Sequence, residues 1–290
     1  MGRLVGMTQR RTALVLGGGG ITGIAWETGV LAGLADAGVD LTSADLVVGT
    51  SAGSVVGAQL ATGGAPAEMY ARQLLPPTEQ GPPARMGRRL LVQFGFTMLR
   101  SRGDDAAFRR RVGALARAAA DAGRTPSEQE RLDAISARLP VQEWPDRPLQ
   151  VTAVDAETGE FRTFDRTSGV PLVTAVAASC AVPGVYPPVT VDGRRYVDGG
   201  MRSAANVDLA TGYDRIVVLA PIVRGFGPMA SVDAQVTGLV SRVAVVAPDA
   251  ASARAIGRNV LDPAAREPSA RAGHAQAAGV LEVVRAVWDA

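Results

Sequence analysis

The sequence predicts an α/β fold built on a mostly parallel sheet. Three observations carry this. A strand, a glycine turn and a helix occur in that order twice within about 60 residues, the rhythm of parallel βα units. A third apolar run, Arg215-Ile216-Val217-Val218-Leu219-Ala220, has the unbroken hydrophobicity of a strand buried on both faces. The composition is that of a globular chain, with 290 residues, 47% hydrophobic and 20% charged, enough to bury a large core.

Residues 12–16 form the first short strand, ended by the glycines at 17–20. Residues 21–37 follow as a helix, with Trp26, Val30, Leu31 and Leu34 at helical spacing. Leu46-Val47-Val48 is the second strand, and Gly49-Thr50-Ser51-Ala52-Gly53 turns it into a small-residue helix over 54–61. Residues 76–148 change character. Prolines bracket the segment, and between Arg85 and Arg124 stand ten Arg against three Asp, a net of +7. This reads as a helical cap inserted into a single domain over 12–290, with 1–11 as an extension. Strands resume at 149–154 and 160–164 around a Glu157-Thr158-Gly159 turn, a helix at 170–179, short strands at 195–197 and 243–246, and a closing helix at 271–289.

The absent residue types exclude whole chemistries. All 30 basic side chains are Arg, so mechanisms that need a catalytic or phosphate-binding lysine are ruled out. One Cys and one His leave no internal disulfide, no cysteine zinc site and no multi-histidine metal centre. The net charge of +2 does not suggest a nucleic-acid binder. The apolar run after Arg10-Arg11 is too short for a signal-peptide core, so a cytoplasmic location is expected.

Three stretches carry candidate chemistry. Gly49-Thr50-Ser51-Ala52-Gly53 is a G-x-S-x-G. Glycines two before and two after a serine allow a sharp strand-to-helix turn that presents its hydroxyl at a helix N-terminus. Gly17-Gly18-Gly19-Gly20-Ile21-Thr22-Gly23 is also a strand-to-helix turn, whose N–H groups point toward negative charge. It suits an oxyanion hole. It also matches the dinucleotide pattern Gly18-x-Gly20-x-x-Gly23, with Asp36 or Asp40 as the ribose acid, although a dinucleotide fold calls for a plain second strand ending in that acid rather than a nucleophile elbow. Asp198, in Val197-Asp198-Gly199-Gly200, ends a strand and could serve Ser51 as a base. Its alternative is an ordinary Asp-Gly turn. The order Ser51, Asp198, His274 also matches a hydrolase triad, although His274 falls within a helical pattern where a surface histidine is expected. Cys180 reads as a small buried side chain.

Together these residues resemble the patatin-like phospholipase family. The loop over 17–23 is similar to its oxyanion motif, which implies backbone donors around Gly18, Gly19 and Gly20. Residues 49–53 are similar to its nucleophile elbow, and 197–200 to its catalytic Asp motif. Ala178-Ser179-Cys180-Ala181-Val182-Pro183 and Tyr186-Pro187-Pro188-Val189 are similar to its proline-containing block, while Asn206 and 212–218 fit the continuation. The likeness runs over about 12–221. It implies a three-layer α/β/α sandwich and hydrolysis of lipid acyl esters, of phospholipase A, lysophospholipase or esterase type. The reaction would pass through an acyl-enzyme made by a Ser51–Asp198 dyad without histidine, cofactor or metal. One departure is Thr22, where many members carry Arg or Lys. The basic cap, with Leu90, Leu91, Val92, Phe94, Phe96, Met98 and Leu99 among Arg85, Arg88, Arg89, Arg100 and Arg102, suits peripheral contact with an anionic membrane, or else covers the substrate with a solvated Arg face.

Overall fold

A computed structural model describes residues 10–76, 84, 87–101, 103–225 and 227–289. The chain opens with β1 (Thr12–Leu16), α1 (Gly20–Asp36), β2 (Leu46–Gly49), α2 (Ala52–Ala61) and α3 (Pro66–Leu74). The basic segment supplies α4 (Arg88–Ser101), α5 (Asp105–Asp121) and α6 (Glu128–Ser136). Then come β3 (Leu149–Asp155), β4 (Phe161–Phe164), α7 (Leu172–Ser179), β5 (Val189–Val191) and β6 (Arg194–Asp198). The chain closes with β7 (Arg215–Leu219), α8 (Val232–Thr237), β8 (Arg242–Val246), α9 (Ala250–Ile256) and α10 (Arg266–Trp288).

The sheet order is β5-β6-β3-β2-β1-β7-β8, with β4 paired to β3 as well. Strands β3, β2, β1, β7 and β8 run parallel, and β4, β5 and β6 add antiparallel pairings. The strand period of two divides the sheet's side chains between its faces. Leu14, Leu16, Val47, Val217 and Leu219 join the core formed with α1, α2, α7 and α10. Ala13, Val15, Leu46, Val48, Ile216 and Val218 point the other way, toward residues 205–210 and α8. Helix α5 covers that second face farther along, where Ala116 meets Val154 and Val197. The result is a three-layer α/β/α sandwich, as the resemblance implies.

Some elements differ from the sequence reading. Helix α10 begins at Arg266, five residues before the predicted 271, because a 3₁₀ turn at Pro263–Ala265 leads directly into it. Strand β5 has only three residues. Its signal is hidden between Pro187-Pro188 and a turn at Asp192, and it exists because β6 pairs with it. Helices α8 and α9 have six and seven residues, too few for a helical period to emerge.

The register places the site. Strand β2 pairs with β3 through Val47↔Leu149, Val48↔Gln150 and Gly49↔Val151. Antiparallel β6 pairs with β3 through Ala153↔Asp198, Val154↔Val197 and Asp155↔Tyr196. Strand β4 pairs with Val151 to Val154, overlapping both sets, so it occupies the opposite edge. Hence β2 and β6 approach from opposite directions along one edge of β3. Their C-terminal ends, Gly49 and Asp198, lie opposite Val151 and Ala153, with only Thr152 between.

Candidate active site

Ser51 follows β2 and serves as the N-cap of α2 with φ 52° and ψ −115°. A non-glycine residue held there stores about 1–3 kcal/mol of backbone strain. Both flanking glycines are sterically required. A Cβ on Gly49 would lie 2.5 Å from the Ser54 Cα, and one on Gly53 would lie 2.1 Å from the Leu16 carbonyl oxygen.

The elbow is pinned from α7 and from the neighbouring strands. The Ser51 N–H donates to the Ser179 Oγ at 2.9 Å, and the Cys180 thiol donates to the Ser51 carbonyl at 3.2 Å. Thr50 is held on its other side, since its Oγ1 accepts from the Asn206 Nδ2 and from the Thr152 Oγ1, each at 3.0 Å. Asn206 sits in the left-handed region at φ 54°, fully buried. None of Ser179, Thr152 or Asn206 shows a pairing role in local sequence, because their partners lie about 100 to 156 residues away.

The structure brings Ser51 and Asp198 together. The Ser51 hydroxyl lies beside the Asp198 carboxylate, close enough to lower its pKa. Asp198 Oδ1 also accepts from the Gly200 N–H at 2.8 Å. Asp198 is 3% exposed and Ser51 is 8% exposed. Burial raises the Asp198 pKa from the ordinary 3.8 to about 6, against the lowering effects of Ser51, Gly200 and the positive charge of Arg131. A carboxylate in this state can take a proton from a hydroxyl and return it near neutral pH.

The glycine loop is narrower in its capacity than the sequence suggests. The Gly18 N–H donates to the Ala204 carbonyl at 2.7 Å, so it is not available as an oxyanion donor. Gly20 is the first residue of α1 and Gly19 its N-cap, and their N–H groups have no acceptor among the described residues. Thr22 turns inward, its hydroxyl 3.3 Å from both the Gly19 and Val260 carbonyls.

The dinucleotide reading fails on this loop. The Val260 carbonyl takes the Thr22 N–H at 3.1 Å, and a Cβ on Gly20 would lie 2.5 Å from that same oxygen. The chain itself thus occupies the space in front of α1 where a pyrophosphate would sit. Asp36 binds His274, and Asp40 caps the Thr42 N–H. The histidine triad fails as well. His274 Nε2 lies 2.9 Å from Asp36 Oδ2, and its ring stacks on Tyr70. Asp36 ends α1, whereas Gly20, which begins it, lines the Ser51 cavity. The sixteen residues from 20 to 36 span about 24 Å of helix.

The space beside Ser51 is a cavity of about 20 Å³, lined in part by Gly20, Ile21, Arg131, Arg138, Cys180 and Tyr186. A larger cleft of about 320 Å³ shares Ile21, Ile24 and Arg138 with it and continues over Val55, Ala134 and Pro140. Among the described residues, no three His, Cys, Asp or Glu side chains gather as a metal site, and no helix is long and apolar enough to cross a membrane. Arg131, buried beside Ser51, went unnoticed in the sequence, where it is one more Arg in a basic helical segment.

Comparison with known proteins agrees with this geometry at the level of the family. The patatin-like phospholipase family model matches residues 14–211. The chain is similar to the crystal structure of VipD from Legionella pneumophila, with 13% identity and a TM-score of 0.46, covering 94% of this chain and 67% of that one. It is also similar to the type III effector ExoU, with 18% identity and a TM-score of 0.41, covering 94% of this chain and 53% of that one. A structure of full-length SpcU in complex with full-length ExoU from Pseudomonas aeruginosa gives 20% identity and a TM-score of 0.41, covering 97% and 53%. The chain therefore spans about half the length of the ExoU chains. No curated protein matches it at a comparable level of significance. With more than half of its length matched by the family model, the chain belongs to the patatin-like phospholipase family, a family of lipid ester hydrolases.

Proposed function

We propose that this chain cleaves lipid acyl esters through an acyl-enzyme on Ser51, with Asp198 as the general base. The observation that carries this reading is the placement of Ser51 beside a buried carboxylate, set by the strand register, whose pKa burial raises to about 6. As the Ser51 Oγ attacks the ester carbonyl, Asp198 takes its proton. The oxyanion faces the unpartnered N–H groups of Gly19 and Gly20 at the positive end of α1. Asp198 returns the proton to the departing alcohol. It then takes a proton from the water that attacks the acyl-enzyme, and the fatty acid leaves as Ser51 regains its hydrogen.

Hydrolysis of p-nitrophenyl esters of increasing chain length tests this. The wild type is expected to turn over, with Ser51→Ala and Asp198→Ala each losing at least about 10³-fold in kcat. A Ser51→Ala variant as active as the wild type removes the assignment. The chain-length profile separates an esterase from a phospholipase or lysophospholipase.

The same reading extends to the bilayer. Val92, Phe96 and Leu99 recur at i, i+4 and i+7 on α4 and are 57%, 61% and 59% exposed. An apolar stripe beside the exposed Arg100 suits the surface of an anionic bilayer. Arg85 and Arg102 lie outside the described residues. Co-sedimentation with vesicles of phosphatidylglycerol and phosphatidylcholine is expected to exceed that with phosphatidylcholine alone, and Phe96→Ser with Leu99→Ser to abolish it. Equal, negligible binding to both vesicles ends the idea.

A further inference from the structure

We propose that Arg131 is the anion-recognising residue of the Ser51 site, selecting acyl esters that carry a phosphate beside the scissile bond. The proposal rests on the hydrolase reading above and adds a specificity-determining residue to it.

Arg131 comes from α6, at the end of the basic segment, and lines the same cavity as Ser51. It is 5% exposed. One guanidinium nitrogen, NH2, donates to the Cys180 carbonyl at 3.2 Å, and the group lies 3.8 Å from the centroid of the Tyr186 ring. These two contacts fix the plane of the guanidinium and leave its bonding capacity unfilled. The Nε–H is buried without an acceptor. Among the described residues no carboxylate lies within ion-pairing distance. Asp198 feels its charge but accepts from the Gly200 N–H and lies beyond ion-pairing distance.

A buried, unpaired guanidinium is costly, because it stays charged at every physiological pH and has lost its water. Burial accordingly pushes the Arg131 pKa down. What such a group lacks is an anion, and a preorganised planar fork matches a phosphate in two parallel hydrogen bonds. Among the described residues, the cavity lining holds Arg131 and Arg138 and no Asp or Glu. The space of about 20 Å³ is the size of one water molecule, and it adjoins the larger cleft of about 320 Å³ through the shared Ile21, Ile24 and Arg138. The adjoining cleft, with Ile21, Ile24, Val55 and Ala134, offers an apolar path for the acyl chain.

The test is binding to full-length Ser51→Ala, which retains the cavity without turnover. The probes are dodecyl phosphate, dodecanol and inorganic phosphate, titrated below micellar concentrations. Dodecyl phosphate is expected to bind roughly tenfold or more tighter than dodecanol, the value of a charge-assisted hydrogen bond. Adding Arg131→Gln should reduce that ratio to near one, while Arg131→Lys should keep part of it. Equal affinity for both dodecyl probes, or a preference that survives Arg131→Gln, overturns the proposal. Inorganic phosphate binding as tightly as dodecyl phosphate also overturns it, in favour of a free-anion site. Should Arg131→Gln fail to fold, the wild type decides. Its kcat/KM for 1-lauroylglycerol 3-phosphate should exceed that for 1-lauroylglycerol roughly tenfold, mostly through KM, and a ratio near one overturns the proposal. A wild type that cleaves neither ester, while Ser51→Ala still prefers dodecyl phosphate, removes the hydrolase reading and leaves the anion site standing.

Discussion

Ser51 and Asp198, 147 positions apart, meet because β2 and β6 end on either side of Thr152 along one edge of β3. A parallel strand and an antiparallel strand can share an edge in this way only if each stops short of the other. Thr152 marks the stop, with its Oγ1 on the Thr50 hydroxyl and its backbone against Gly199. The juxtaposition of Ser51 and Asp198 is therefore a property of strand register, and the proposed proton transfer between them gives the first prediction. Asp198→Asn keeps the shape and an acceptor for the Gly200 N–H but cannot take a proton. It should lower kcat by at least about 10³-fold with little loss of melting temperature, checked by ester hydrolysis and thermal unfolding on the same preparations.

The pKa of about 6 at Asp198 predicts the acid limb of the activity profile. As the proposed general base, Asp198 would work only when ionised, so kcat/KM should fall tenfold per pH unit below about 6 and level off above it. Its effect on stability has the opposite sense. The folded-state pKa is raised, so this group's stabilisation is complete below about 3.8 and is lost as pH rises through 6. The rise corresponds to about 3 kcal/mol. Asp198→Asn, which has no such ionisation, should therefore gain stability relative to the wild type between pH 4 and pH 8, measured by urea unfolding at both.

Glu27 predicts a second pH dependence, away from the site. It is fully buried in α1, neither carboxylate oxygen has a hydrogen-bond partner among the described residues, and burial raises its pKa well above 4.5, outweighing the lowering effect of the Gly17 backbone. Its contribution is thus complete below 4.5 and lost as pH rises toward the folded-state value. Glu27→Gln should flatten the fall in urea midpoint between pH 5 and pH 9. An unchanged slope would mean that Glu27 is ionised and solvated.

Gly53→Ala should be among the most damaging small substitutions in the chain. Its Cβ would be placed 2.1 Å from the Leu16 carbonyl oxygen and 2.7 Å from the Leu16 Cβ, inside the β1–α2 packing, where neither backbone can give way. A loss of roughly 3 kcal/mol or more is expected from overpacking, read as unfolding or insoluble expression. Gly63→Ala is a useful contrast, since φ is +95° there but nothing lies within 4 Å of the added Cβ. Its cost should be about 1 kcal/mol.

His274→Ala separates the dyad from the triad without touching the site. Its partners are Asp36 and Tyr70 on the surface of α1 and α3, so ester hydrolysis should be unchanged. The loss of a partly exposed pair should cost less than about 1 kcal/mol, visible as a shift of a few degrees at most in thermal unfolding.

Read alone, the sequence determined what depends on neighbours along the chain. The spacing of Gly49 and Gly53 around Ser51 dictates a tight turn, because a Cβ at either place collides with backbone only a few residues away or on the adjacent strand. The apolar runs at 12–16, 46–49 and 215–219 dictate buried strands, because a sheet covered on both faces has no polar side to show. Asp198 was legible as a strand-end carboxylate, and its pairing with Ser51 only through resemblance. Tertiary structure decided everything that depends on where distant segments dock. The Ala204 carbonyl takes the Gly18 N–H and narrows the oxyanion candidates to Gly19 and Gly20. Ser179 and Cys180 fix the two peptide groups of Ser51 from 128 and 129 residues away. Arg131 is distinguished from the other arginines only by being buried beside the serine. Local sterics are written in residue spacing. Desolvation and long-range hydrogen bonds are set by the register of the whole sheet, which no short stretch of sequence contains.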